Sequence, residues 1–119
     1  MVSLANNHTD NIDGQVGLDE TRVNLEAAGI QHYGHYDNAE LDQLCEIVAI
    51  PINLRYSDNF SQVKNWPIAM CGYHNVFSLP TNEQLDQISF YAEYFLTIVT
   101  PQMGEEYVPT ADSLKTETF

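Results

Sequence analysis

The stretch from Thr81 to Thr100 most constrains what this chain can fold into. Thr81 with Gln84 three residues on makes a capping box, and Leu85, Ile88, Ala92 and Phe95, with Tyr91 beside Ile88, mark one buried helix face. Leu96-Thr97-Ile98-Val99-Thr100 follows at once, β-branched and apolar, with the composition of a central strand. The rest of the chain keeps this alternation. Val2-Ser3-Leu4-Ala5 reads as the tail of a buried strand, and a polar loop from Asn6 to Gly14 follows. A helix spans about Gly17 to Ala28, with Leu18, Thr21, Leu25 and Ala28 on one face and Asp19 and Glu20 in the first turn, and Gly29 stops it. Ile30–Tyr33 is a short strand, 38–44 a brief helix, Glu46–Tyr56 a strand marked by Pro51, 57–65 a polar loop, and Trp66–Tyr73 another buried strand. His74–Pro80 and Pro101–Pro109 read as connections, and Thr110 opens a last helix. The pattern is α/β with a largely buried sheet.

One domain is the most that 119 residues hold, and a 44% apolar fraction suffices for its core. Seventeen acidic residues against four basic ones leave a formal net charge of -13. No basic surface remains to displace counterions from phosphates, so nucleic acid is excluded as a partner, as is an anionic membrane surface. The balance fits a solvated acidic surface, or carboxylates partly neutralised by metal ions. Cys45 and Cys71 both sit among apolar residues and read as buried free thiols; one bridge between them is possible, but the spacing does not require it. No apolar run approaches the ~20 residues of a membrane span. Met1–Ala5 lacks the basic lead-in of a signal peptide.

Two polar clusters directly follow apolar runs: Asn6-Asn7-His8, and Gln102-Met103-Gly104-Glu105-Glu106-Tyr107. In open α/β sheets ligands bind beyond the carboxyl ends of the strands. An amide oxygen is a workable ligand for a hard metal, and a neighbouring imidazole can serve as a general acid. Read alone, each cluster is equally a turn or a solvated acidic loop. His32 and His35 form an H-x-x-H pair without the further ligands a zinc site needs, and His74 reads as a lone, satisfied polar group.

Taken together, the clusters and the segment between them resemble the CapA family of bacterial capsule and poly-γ-glutamate biosynthesis proteins. The resemblance rests on Ser3-Leu4-Ala5-Asn6-Asn7-His8-Thr9, the Asp13-Gly14 turn, Gly17-Leu18, Thr21, Leu25, Ala28-Gly29-Ile30, Gly34, Asn38 and Glu40. Gly104-x-Glu106-Tyr107 is similar to the family's H-W-G-x-E-Y motif, with Gln102 where the family has histidine; Pro109 and the helix start at Thr110 also suit it. The resemblance implies a partial calcineurin-like metallophosphoesterase-type β-sandwich flanked by helices. On this reading residues 1–119 are an internal part of one CapA-type domain, with a G-D strand motif before them and a G-x-H-P-H motif after. Asn7 would then be a metal ligand and His8 the acid that protonates a leaving oxygen. Asn6, Gln102 and Glu106 would support the site or touch substrate. The cofactor implied is a divalent ion, manganese, zinc or similar, in the full-length parent, held weakly or not at all by these residues alone.

Two functions follow from the resemblance. One is a component of capsule or poly-γ-glutamate synthesis or export, partnered by the anionic polymer or its synthesis machinery at the cell envelope. The other is a metal-dependent phosphoester hydrolase using Asn7 and His8. Gln102 in place of histidine shifts weight to the first.

Overall fold

The computed structural model describes residues 1–37, 40–76 and 79–102. Five strands and two helices follow in the order β1 (Val2–Ser3), α1 (Gly14–Ala27), β2 (His32–Tyr33), β3 (Cys45–Ser57), β4 (Phe60–His74), α2 (Asn82–Tyr94) and β5 (Leu96–Gln102). The class is mixed α/β. Strands β1 and β2 pair in parallel across α1, and β4 and β5 pair in parallel across α2, so the chain contains two β-α-β units. Strand β3 adds to β4 as an antiparallel hairpin.

Helix α2 forms as its capping box requires. The Gln84 amide N–H donates to Thr81 Oγ1 at 3.2 Å, and the Thr81 N–H donates to Gln84 Oε1 at 3.1 Å. Helix α1 ends in a Schellman motif: the Ile30 N–H reaches the Leu25 carbonyl at 2.8 Å and the Gly29 N–H reaches Glu26 at 2.9 Å, with Gly29 at φ 70°. It starts at Gly14, earlier than its apolar pattern suggests, so Asp19 and Glu20 lie beyond the first turn. Both helices lean on narrow sheets and bury thin stripes. Leu18 is buried and Leu25 half-buried on α1, while Thr21 and Ala28 are exposed; Ala92 on α2 is exposed as well.

Three sequence expectations change. The polar loop over 57–65 is absent. Asp58 and Asn59 make a two-residue turn, and the ladder continues through Asn53–Val63 and Ile50–Trp66. β-Branched and aromatic residues flank turn-forming ones there, and pairing overrides the polar composition. The described part of the segment 38–44 is not helical but turns through Gln43 at φ 58°. Cys45 and Cys71 are directly paired ladder partners joined in a disulfide, not free thiols. Strand pairing brought their Cα atoms to 4.1 Å, a proximity that their separation of 26 residues does not announce.

The bridge sits inside the main core, formed by Leu44, Cys45, Cys71 and Tyr73 with Ile88, Tyr91 and Val99 against them. Helix α2 covers that face of the three-stranded sheet. Burial of Tyr73 pushes its hydroxyl pKa up to about 12. The sheet is not buried throughout. Its opposite face carries Ile50, Trp66, Leu96 and Ile98, all exposed. Only its end at Gly72 is covered, where Tyr33 and Ser3 of the small sheet pack so closely that an added Cβ would lie 3.0 Å from each. Gly34, at φ 84°, approaches from the other side: a Cβ there would stand 2.7 Å from that of Ala5.

The bridge closes a loop whose ends are 26 residues apart, which corresponds to about 3 kcal/mol of stability on a chain-entropy scale. Thermal melts with and without a reducing agent, repeated on Cys45→Ala/Cys71→Ala, are expected to show this loss. An unchanged melting temperature on reduction would contradict it.

Candidate functional site at the strand ends

The carboxyl ends of β1, β2, β4 and β5 come together because Gly34 and Gly72 let the two parallel pairs touch. Tyr33 and Thr100 join them through their hydroxyls at 3.0 Å. Just beyond, the chain after β1 turns sharply. The Asn6 N–H bonds the Leu4 carbonyl at 2.9 Å, the Asn6 side chain accepts from the His8 N–H at 2.8 Å, and Thr9 Oγ1 donates back to Leu4 at 3.0 Å. Asn6 is therefore a turn former, as Asn commonly is.

This turn presents Asn7 to the end of β5. The Asn7 N–H donates to Gln102 Oε1 at 2.9 Å, and Gln102 Nε2 donates to Asn7 Oδ1 at 2.7 Å. Two polar clusters 95 residues apart thus meet through a reciprocal amide pair. The sequence places Asn7 and Gln102 on one sheet edge, and they are in direct contact there. Glu106, with Gly104 and Tyr107, lies outside the described residues. A pocket of about 270 Å³, lined by Ser3, Ala5, Asn6, Thr100, Pro101 and Gln102, opens beside the pair.

His8 stands apart from that pocket. Its Nδ1 is 2.7 Å from Asn11 Nδ2, and its ring lines a separate groove against α1 with Thr9, Asn11, Glu20 and Thr21. The turn that aims Asn7 at Gln102 aims the next side chain elsewhere.

Other polar groups gather at the same strand ends. After β2, His35 Nδ1 accepts the Asp37 N–H at 2.9 Å, so Nε2 carries the proton and donates to Gln15 Oε1 at 3.1 Å. After β4, His74 Nε2 donates to the Tyr36 carbonyl. His32 instead pairs with Glu26 at 3.2 Å, so the H-x-x-H pair does not act as a unit. Asn75 follows His74. Its N–H bonds the Gln102 carbonyl at 2.9 Å, yet among the described residues its fully buried side-chain amide has no hydrogen-bond partner on either atom. An amide left this way costs about 1–3 kcal/mol. The sequence reading missed Asn75, although it too is a polar residue directly after an apolar strand.

Among the described residues the donor set does not fit a metal ion. The Asn7 oxygen that would ligate is occupied by the Gln102 amide, and that NH2 group would oppose a cation. Among the described residues no group of three or more His, Cys, Asp or Glu side chains is arranged to hold one. Comparison with protein-family models, curated proteins and solved structures finds no match.

Burial, then the nearby Arg22 guanidinium, lowers the His35 pKa below 6.5; Glu40 and Asp37 oppose the shift. The unfolded chain therefore binds this proton more readily, and stability rises with pH across this range. His35 supports the fold fully above pH 6.5, and that support is lost as pH falls below it. Denaturant unfolding between pH 5 and about 7.5 is expected to show an acid-side loss that His35→Gln reduces. An identical pH profile in the variant would refute it.

Proposed function

We propose that the chain belongs to a component of bacterial capsule or poly-γ-glutamate synthesis or export, built on a metallophosphoesterase-like scaffold, and that its strand-end site serves structure and binding rather than hydrolysis. The observation that carries this reading is the Asn7–Gln102 pair. It joins the two segments that resemble CapA motifs, at the sheet end where such a fold keeps its site. Each side-chain oxygen of the pair already accepts a hydrogen bond within it, which favours a structural role over ligation. The finer fold, a β-sandwich of the metallophosphoesterase type, is part of the same proposal.

The partner follows from charge. At -13 the chain repels a polyanion, so the proteins of the synthesis machinery are the better fit than the polymer itself. A metal-dependent phosphoester hydrolase using Asn7 and His8 is the second reading. His8 alone favours it, an exposed imidazole in an open groove beside the strand ends.

Titration calorimetry with manganese and zinc, alongside turnover of a generic phosphodiester, separates the two. The scaffold reading expects weak, non-stoichiometric binding and no turnover above buffer. It further expects Gln102→His to tighten metal binding, since an imidazole is a better ligand and no longer donates an amide hydrogen to Asn7. Tight stoichiometric binding lost in Asn7→Ala, with turnover lost in His8→Ala, would overturn the scaffold reading in favour of hydrolysis.

A further inference from the structure

We propose that the outer half of the β3–β4 hairpin is a self-association arm, and that the arm of one copy seats on the acidic outer groove of α1 in a second copy. Strand β5 pairs with β4 only from Ile68 onward. Among the described residues, the hairpin beyond that point is a two-stranded ribbon with neither a third strand nor a covering helix, an arrangement only marginally stable in water. Every residue from Phe60 to Pro67 is exposed, and so are Arg55, Tyr56 and Ser57 on the facing strand. Among polar neighbours, four of the exposed side chains are large and apolar: Tyr56 and Phe60, whose ring centroids lie 5.6 Å apart, then Val63 and Trp66. A ribbon of this composition gains by lying against another surface.

Charge says which surface. Between Pro51 and Pro67 stand Arg55 and Lys64 against Asp58, a net +1, so the rest of the chain carries -14 of the -13 total. Arg55 is paired to Asp58 at 2.8 Å, but both side chains are largely exposed and such a pair holds weakly. The complement lies on α1. Val16 and Val23 are 62% and 63% exposed and two turns apart, so they share one stripe on the solvent side. Asp19, Glu20 and Asn24 join them in lining a groove of about 400 Å³. One chain thus carries an aromatic, cationic arm and an apolar, anionic groove. Reciprocal seating of the two makes a closed two-fold dimer.

Sedimentation equilibrium of the chain over a wide concentration range tests this. The weight-average mass should rise from 13.5 kDa toward twice that value, less so at high salt. Arg55→Glu with Lys64→Glu should weaken association by at least about tenfold, as should Asp19→Lys with Glu20→Lys, and the four changes together should restore it. All four positions are exposed, and circular dichroism verifies that each variant keeps its fold. Trp66, the only tryptophan, lies on the arm, so its emission should shift to the blue as wild-type chains associate. A mass fixed at 13.5 kDa, including one where the arm engages some other protein, overturns the proposal. So does a dimer indifferent to both reversals, or a fourfold variant no better associated than either pair.

Discussion

Everything at the strand ends depends on a backbone contact between two glycines and their neighbours. Gly34 sits where a Cβ would lie 2.9 Å from the Ala5 nitrogen, and Gly72 where one would press on Tyr33. Real side chains do not tolerate such distances against backbone. With hydrogen at both positions, the β1–β2 pair closes onto the β4–β5 pair, and the Gly72 N–H still reaches the Leu44 carbonyl at 3.0 Å. The small two-stranded sheet thereby packs on the larger one, whose core lies between β4, β5 and α2. Their carboxyl ends consequently point the same way. Asn7 and Asn75 both meet Gln102 for that reason and not because any local motif assembles them.

What sequence reading recovers and what it misses divide along the same line. Local signals held. The Thr81–Gln84 box caps α2, Gly29 ends α1, and Leu96–Thr100 forms a strand, because each is decided within a few residues. The position of Asn7 beside Gln102 was legible too, since parallel strands joined by helices end on one side. Features set by pairing across the chain were not legible. The turn at Asp58–Asn59 looked like part of a long loop, because the strand residues after it are polar on both faces, Ser61 and Asn65 on one and Gln62 and Lys64 on the other. Cys45 and Cys71 looked like separate buried thiols until the ladder placed them opposite each other. The unpartnered amide of Asn75 is a property of its surroundings, and no local pattern predicts it.

The site combines a satisfied pair with an unsatisfied neighbour. Asn7 and Gln102 complete each other, while the buried Asn75 amide beside the Gln102 backbone completes nothing. A buried polar group kept without a partner weakens the fold unless something offsets it. The exposed apolar residues of the hairpin point toward contacts with another protein surface.

The central claim is that the Asn7–Gln102 pair ties the two β-α-β units together at the strand ends. A double-mutant cycle with Asn7→Ala, Gln102→Ala and the double variant, read by denaturant unfolding, tests it most directly. Gln102→Ala removes both part-buried hydrogen bonds, whereas Asn7→Ala removes only the one to Asn7 Oδ1, so the cycle predicts a coupling of about 0.5–1.5 kcal/mol, with the double variant little worse than Gln102→Ala alone. Strictly additive losses, or no loss in either single variant, would contradict the account and leave the two units held by glycine packing and the Tyr33–Thr100 hydrogen bond.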